Sequence, residues 1–354
     1  MAFTPGGLRR LRRLALAAAL VTIASMLAAP AAQTSSPVRL DPAALDRGAD
    51  PAIAHLVRDT IRDGDLRVPA TVRGRHEALW AVAGGYVVRD YNVGPRRLVR
   101  LTFIDPAGER RTLASSHDWI DVAVSDTGTV LAVRRPLGPT GLRSEITVIA
   151  PATGEVVATK TLRLATLVAV TDGRVLLARR SHWHHPVTQW WSLARDRMRT
   201  IHDQAAVRAD VAHDRIVFGT PGAGEFCTRV APLSHPARTL WRSCDTAVHA
   251  WSPDGTRALA TWAYFDAAGT DRWWVVDGRT ATRQAQVTGR LDWTAVWEDD
   301  GHVLALAQGD AGGAAIVRCD LTGACERASR VWDVPLPSEP SLYYEPPPVV
   351  LAQR

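Results

Sequence analysis

Short apolar runs and tight polar turns alternate along residues 77–330 of the chain. Each run spans about four residues and follows a turn that in most units is rich in Asp or Gly. Successive turn ends are 41–46 residues apart, so one unit recurs six times. Gly and β-branched residues interrupt any 3.6-residue period, which favours strands over amphipathic helices. The turns end at positions 85, 128, 173, 214, 255 and 301, and the strand-like runs cover 86–89, 130–133, 175–178, 215–218, 258–261 and 303–306.

A second turn recurs in most units. Asp and Gly suit it because hairpin turns need a positive φ or a side chain that bonds its own backbone. Three or four short strands in each of six such units is the pattern of a β-propeller. We therefore predict an all-β, single-domain, six-bladed β-propeller, with seven blades if the two flanks form one more. The second turns are Asp105-Pro-Ala-Gly108, Pro151-Ala-Thr-Gly154, Asp277-Gly278 and Asp320-Leu-Thr-Gly323.

One unit carries a recognisable motif, Trp251-Ser-Pro-Asp-Gly255-Thr-Arg-Ala-Leu-Ala260. It resembles the core motif of secreted bacterial β-propellers of the TolB-like and WD-repeat-like type, and the other five units are degenerate versions of it. The resemblance implies a fold and no particular reaction, because this motif marks blade geometry in proteins of many functions. True WD repeats carry a recurrent Trp-Asp pair, whereas Trp332-Asp333 occurs once here.

The segments that flank the repeats are less regular. Residues 32–76 form an N-terminal extension, in which the pattern predicts a short helix over 51–62 and a strand over 65–68. Residues 331–354 form a Pro-rich C-terminal tail that ends in the apolar run 349–351. Each flank is a candidate for the strand that closes the ring.

The first 31 residues are typical of a secretory signal peptide. Arg at positions 9, 10, 12 and 13 precedes an apolar run over 14–27, and Ala29-Pro-Ala31 supplies the small residues for cleavage. We expect cleavage after Ala31 or one residue later. The alternative is an uncleaved anchor helix, although the run is short beside the ~20 residues that a membrane span needs. The Arg pairs leave the Sec and twin-arginine routes open.

Most of the net charge of +6 belongs to this segment. The segment contains four Arg and no acidic residue, so the remaining protein has a net charge of +2. Its Arg doublets, such as Arg134-Arg135, do not form patches because neighbours on a strand point to opposite faces. We therefore expect no nucleic-acid partner. The prediction is a secreted or extracytoplasmic monomer with no stable membrane span after cleavage.

Four cysteines allow three pairings. Cys319 and Cys325 flank the second turn of the last unit, and Cys227 and Cys244 lie symmetrically about 232–236 in an earlier unit. Facing strands of a hairpin come within disulfide reach, and an exported protein meets an oxidising compartment. We predict the disulfides Cys227–Cys244 and Cys319–Cys325, with free buried thiols as the alternative.

The remaining motifs identify no catalytic, cofactor-binding or metal-binding residue. Segment 182–185, with the sequence His-Trp-His-His, is the single His cluster, and an exposed loop before Pro186 is favoured over a metal site because further ligands are lacking nearby. His76-Glu77 begins a zinc-protease motif, but Trp80 stands where the second His is required. The sequence contains no G-x-S-x-G, S-x-x-K or phosphate-binding loop. We expect no cofactor.

Tryptophan is abundant, with 13 residues. Packing in the core and between blades is the favoured role, because aromatic rings bury large areas. A ring that faces water would instead stack on a sugar or an aromatic side chain. The four that precede a first turn are Trp80, Trp119, Trp251 and Trp293, and the adjacent pairs Trp190-Trp191 and Trp273-Trp274 must divide between two strand faces.

Together these patterns predict an exported β-propeller that acts as a ligand-binding or protein-interaction scaffold at the cell envelope or outside the cell. Its partner is an unidentified protein or glycan. The alternative is an extracytoplasmic enzyme, a hydrolase or lyase acting on a small molecule or glycan at the central channel. Acid and base groups on the axis would favour the enzyme, and an exposed Trp-lined face would favour binding.

Overall fold

The computed structural model describes ten stretches of the chain, and within them every regular element is a β-strand. The predicted signal peptide and the His cluster at 182–185 lie outside these residues. The described part of the chain contains no helix of the length and apolarity that crossing a bilayer requires. The stretches are 38–71, 74–92, 97–138, 140–180, 186–221, 226–263, 270–292, 294–310, 312–334 and 349–353.

Within the described residues, the strands group into seven four-stranded antiparallel blades, and a short strand, β1 (Val38–Arg39), lies parallel to the outer strand of the sixth. Blade 1 contains β2 (His55–Val57), β3 (Thr60–Asp63) and β4 (Leu66–Pro69) from the N-terminal flank. The other blades are continuous in sequence: blade 2 has β5 (Arg75–Val82), β6 (Gly85–Tyr91), β7 (Val99–Ile104) and β8 (Arg110–Ser116); blade 3 has β9 (Asp121–Val124), β10 (Leu131–Leu137), β11 (Arg143–Ala150) and β12 (Glu155–Arg163); blade 4 has β13 (Ala165–Thr171), β14 (Arg174–Arg180), β15 (Pro186–Ser192) and β16 (Arg197–His202); blade 5 has β17 (Ala206–Asp210), β18 (Arg215–Pro221), β19 (Phe226–Pro232) and β20 (Trp241–Ser243); blade 6 has β21 (Thr246–Trp251), β22 (Arg257–Trp262), β23 (Thr270–Asp277) and β24 (Arg283–Leu291); blade 7 has β25 (Val296–Trp297), β26 (His302–Gln308), β27 (Ala314–Asp320) and β28 (Cys325–Arg327).

Blade 1 is completed by the last strand of the chain, β29 (Val349–Gln353). This strand pairs antiparallel with β2, with His55 opposite Leu351, and parallel with β5, with Ala352 opposite Leu79. The strand pairing thus gives seven blades where the repeats alone predicted six. The seventh has no internal repeat to reveal it, because its strands come from the two ends of the chain.

The predicted helix over 51–62 was wrong. Leu56 and Ile61 face each other across the hairpin of β2 and β3, and both are fully buried. The apolar positions 53, 56, 57 and 61 also fit one face of a helix, so the local pattern is ambiguous. Pairing of β2 with β29, almost 300 positions away in the sequence, decides in favour of the strand.

Each blade packs against both of its neighbours, and seven apolar clusters fill the seven interfaces around the ring. Leu131 and Val133 of β10 pack towards blade 2, whereas Ala132 between them packs towards blade 4. A strand that is buried on both faces needs apolar residues at consecutive positions. This requirement explains the continuous apolar runs that follow each first turn.

The turns form as their residues predict. Asp105, Asp277 and Asp320 each accept hydrogen bonds from backbone N–H groups two to four residues further on, at 2.8–2.9 Å. Gly255 has a φ of +67°, and a Cβ there would lie 2.2 Å from Cγ of His213 in the preceding blade. Only glycine tolerates both the positive φ and the close approach of His213.

Both disulfides join the pairs that the sequence indicated, Cys227–Cys244 and Cys319–Cys325. Cys319 and Cys325 lie directly opposite each other on β27 and β28. Cys227 is in β19, and Cys244 follows β20, next to the pair Thr228–Ser243. Each bridge therefore joins the two outer strands of a single blade.

We expect the longer disulfide loop to contribute more stability than the shorter one. The bridges span 17 and 6 residues, for which loop entropy gives about 3 and about 2 kcal/mol. Urea unfolding of C227S/C244S and C319S/C325S measures the two losses. A larger loss in C319S/C325S would contradict the loop-entropy explanation.

Candidate functional site

Seven innermost strands line the central channel of the ring: β29, β5, β9, β13, β17, β21 and β25. β29 and β5 are parallel, and every blade has the same antiparallel strand order. The innermost strands therefore all run in the same direction along the channel. The turns that follow the innermost strands therefore gather at one end of the channel, here called the turn end. The innermost strands begin at the opposite end, here called the aromatic end because of Trp119.

Hydrogen bonds between neighbouring blades join the turns at the turn end. Thr127 and Thr129 of blade 3 donate to Oδ1 of Asp172 in blade 4, at 2.9 and 3.0 Å. The N–H of Asp254 in blade 6 donates to Oδ1 of Asp300 in blade 7, at 2.8 Å. Carboxylates thus recur around this end of the channel, where they hold the turns in register.

The Ser-Pro-Asp-Gly motif is explained by its own hydrogen bonds. Ser252 is buried, its Oγ donates to Oδ1 of Asp254 at 2.6 Å, and the N–H of Arg257 donates to Ser252 Oγ at 3.0 Å. Desolvation opposes ionisation of Asp254, but the hydrogen bonds from Ser252 and Thr256 lower its pKa to about 2. The motif therefore serves turn structure.

At the turn end, a histidine lies in hydrogen-bond contact with an aspartate. Nδ1 of His213 lies 2.8 Å from Oδ2 of Asp210, and burial together with the nearby Asp210 carboxylate raises the pKa of Asp126. A histidine oriented in this way can transfer a proton. Among the described residues, however, no hydroxyl or thiol is hydrogen-bonded to His213 Nε2, and no group of His, Cys, Asp and Glu is arranged to hold a metal ion. The contact between His213 and Asp210 closes the first turn of blade 5.

The aromatic end presents a water-exposed tryptophan flanked by two arginines. Trp119, in the connection between β8 and β9, is 40% exposed. Arg89 Cζ lies 4.2 Å from the centre of the Trp119 ring, and Arg97 Cζ lies 5.4 Å from it. Arg97 also covers Tyr91, with Cζ 4.6 Å from that ring. These distances are in the range of cation–π contacts.

Glu77 links the two arginines that contact the Trp119 ring. It is the extra residue of a β-bulge in β5, and its carboxylate lies 3.2 Å from Arg89 Nε and 3.7 Å from an Arg97 nitrogen. Desolvation raises the pKa of Glu77, against the opposing effect of both arginines. Arg89 also donates to the carbonyl of Ile120 at 2.9 Å, beside Trp119. This network fixes the exposed ring in place.

The other tryptophans mostly pack inside, as expected. The adjacent pairs divide between faces: Trp190 packs towards blade 5 and Trp191 towards blade 3, and likewise Trp273 and Trp274 lie in different clusters. Trp80 is buried, whereas Trp119 is not, although both precede a first turn. Trp293 lies outside the described residues.

The arginine doublet Arg134-Arg135 also behaves as expected. Arg134 pairs with Asp121 at 2.5 Å and Arg135 pairs with Glu145 at 2.7 Å, so their charges are neutralised separately. Sequence reasoning did not identify Arg89, Arg97 and Glu77 as a group, because they come from three segments that only the fold brings together.

No protein-family model matches the sequence, and no curated protein matches it. Among solved structures, the chain is similar to a puromycin-hydrolyzing peptidase from Mycobacterium tuberculosis, with 16% identity, a TM-score of 0.51 and coverage of 81% of this chain and 53% of that one. A prolyl endopeptidase gives 14% identity and a TM-score of 0.51, with 74% and 43% covered. TolB from Acinetobacter baumannii gives 14% identity and a TM-score of 0.46, with 73% and 67% covered.

The blade topology, together with the likeness to the two peptidases, defines the class of the protein: it is an all-β propeller. Its structural neighbours are TolB and other β-propeller proteins, including the propeller domain of a protease from Pyrococcus furiosus. The chain spans about half the length of the two peptidases. Similarity at these identities shows the fold alone.

Proposed function

We propose that the protein is an exported protein-interaction scaffold whose aromatic end binds a protein partner. The observation that carries this proposal is the exposed Trp119 ring, held by Arg89 and Arg97 next to Tyr91. The other Trp and Tyr rings within the described stretches are buried or half-buried, so an exposed ring held by two arginines needs an explanation.

The chemistry of the aromatic end favours a protein over a glycan. Trp, Tyr and Arg are the residues that dominate the binding energy of protein interfaces. The cation–π contacts and the carboxylate of Glu77 hold these side chains before a partner arrives, which reduces the entropy lost on binding. A sugar needs a bare aromatic face, and here the arginines lie close to it.

The proposed export is supported by the two disulfides, which are compatible with an extracytoplasmic location. Cleavage of residues 1–31 as a signal peptide is part of the proposal. Comparing the N-terminal sequence of the protein recovered outside the cytoplasm with the encoded sequence tests it directly.

A peptide library displayed on phage tests the interaction proposal. The library is selected on the wild-type protein, and enriched peptides are measured by calorimetry against wild type, Trp119→Ala and Val156→Ala. We expect Trp119→Ala to weaken binding by at least about 30-fold, the loss of a hot-spot residue worth 2 kcal/mol or more. Val156, which is 56% exposed on the outer strand of blade 3, is the matched control and should have no effect.

Two results would contradict the proposal. Peptides that bind Trp119→Ala as tightly as wild type would show that the aromatic end is not the interface. Selection of no peptide, together with Trp119-dependent binding on a glycan array, would assign the same end to a carbohydrate.

A further inference from the structure

β12 (Glu155–Arg163), the outer strand of blade 3, is a long strand at the edge of its sheet. It has nine residues and pairs with β11 on its inner side. An edge strand presents backbone N–H and C=O groups that can pair with a strand of another chain, and a short edge limits such pairing. The outer strands β4, β8, β16, β20 and β28 have only three to seven residues.

β24 (Arg283–Leu291), the other nine-residue outer strand, shows how a long edge is covered in this protein. β1 lies parallel to it, with Val38 opposite Val287. The N–H of Leu40 extends this contact by donating to the carbonyl of Thr288 at 2.8 Å. A strand from the N-terminal flank thus covers one long edge, whereas β12 is the last strand of its sheet within the described residues.

The side chains of β12 favour the addition of a further strand. Val156 and Val157 are 56% and 46% exposed. Natural edge strands are commonly protected by a lysine, but Lys160 of β12 is directed to blade 4. Its Nζ forms an ion pair with Asp196 and lies 5.4 Å from the centre of the Trp191 ring. The middle of the edge is therefore left with apolar and hydroxyl side chains.

The two ends of β12 carry opposite charges. Glu155 begins the strand, Arg163 ends it, and both side chains are exposed. When two copies of the strand lie antiparallel, Glu155 of each copy comes to the end that carries Arg163 of the other. Opposite charges across a strand pair are stabilising and like charges are destabilising, so a parallel pair is disfavoured. The charges therefore make β12 complementary to a second copy of itself in one orientation.

We propose that two copies of the chain associate through antiparallel pairing of their β12 strands. The two copies are related by a two-fold axis, and their third blades form one continuous sheet across the contact. One strand pair is small beside the interfaces of stable dimers, so the association is in the micromolar range or weaker. The sequence alone predicted a monomer, and the edge of β12 leads to a different expectation. The contact does not involve the aromatic end.

Charge reversal at the two ends of β12 tests the pairing. Sedimentation velocity over a range of protein concentrations, at low ionic strength, measures the dimerisation of wild type, Glu155→Arg and Arg163→Glu. Each single variant brings like charges together at both contacts, so each should dimerise about 10-fold more weakly than wild type. Glu155→Arg is positive at both ends and Arg163→Glu is negative at both. An equimolar mixture of the two variants should therefore form a mixed dimer.

Two controls separate this contact from folding and from the aromatic end. Arg242→Glu makes the same change at an exposed arginine on the outer strand of blade 5, and it should dimerise as wild type does. Trp119→Ala should also dimerise as wild type does. The Tm of every charge variant should match that of wild type at low protein concentration, because exposed substitutions have small effects on stability.

Three results would overturn the proposal. The first is a wild-type protein that stays monomeric at every concentration, which would leave the edge to a strand of another protein. The second is dimerisation of the single variants as tight as that of wild type. The third is a mixture of Glu155→Arg and Arg163→Glu that forms no more dimer than either variant alone.

Discussion

Removal of the last strand, β29, is expected to abolish the folded ring. Val349, Val350 and Leu351 are buried, and burial of each such side chain stabilises by about 1.5–3 kcal/mol. Their loss alone approaches the roughly 5–15 kcal/mol by which proteins are stable, and it also leaves the edges of β2 and β5 unpaired. Thermal unfolding of a chain ending at residue 348 should show no cooperative transition, and the chain should aggregate.

Point substitutions in the same strand control for this truncation. Leu351→Ala, which keeps the strand, should lose about 2–5 kcal/mol in urea unfolding. Gln353→Ala, at the partly exposed end of β29, should cost little. A truncated chain that unfolds cooperatively near the wild-type temperature would show that the ring is stable without its closing strand.

Replacement of Glu298 by Ala is expected to cost about 3 kcal/mol or more. Glu298 is buried in blade 7 and accepts hydrogen bonds from Arg318, at 2.7 Å from Nη2, and from the N–H of Ala52, at 2.5 Å. The substitution leaves the mostly buried Arg318 with the more exposed Glu326 as its one acidic partner among the described residues. Breaking one side of a buried pair is costly because a charge remains uncompensated.

The pH dependence of stability provides a second test of Glu298. Desolvation opposes ionisation, but hydrogen bonds from Arg318 and Ala52 hold its pKa below the ordinary value of 4.5. A carboxyl whose pKa is lowered by folding stabilises above its unfolded pKa and loses that contribution as the pH falls through the folded value. As the pH is lowered past about 4.5, the urea midpoint of wild type should therefore decrease more steeply than that of Glu298→Gln.

Two controls accompany the Glu298 variants. Asp310→Ala breaks the exposed pair with Arg39, and it should change the urea midpoint far less than Glu298→Ala does. The double variant Glu298→Leu with Arg318→Met replaces both charges and should recover much of the loss. If Glu298→Ala left the free energy of unfolding unchanged, the pair of Glu298 and Arg318 would not stabilise the link between blade 7 and the N-terminal flank.

The repeats predicted most of the fold because a blade is specified locally. Asp105 and Asp277 form their turns with their own backbone, so turn chemistry can be recognised within a few residues. The flanks lack such signals. Nothing near Leu56 indicates that its strand pairs with Val350, and the helical spacing of its apolar neighbours was equally consistent with the sequence.

The candidate sites were harder to predict than the fold. Trp80 and Trp119 both precede a first turn, but Trp80 lies within β5 and is buried, whereas Trp119 lies in the connection before β9 and is exposed. The aromatic end depends on what several segments place around one side chain.

The closure of blade 1 also sets an order of events during synthesis. β2, β3 and β4 are made first, but β29, which completes their sheet, is made last. Contacts between residues almost 300 positions apart form slowly, so the edge of β2 stays open while the rest of the chain folds. In that interval β29 of a second molecule offers the same strand in the same register. Newly made chains are therefore most exposed to exchange of strands between copies at this one blade.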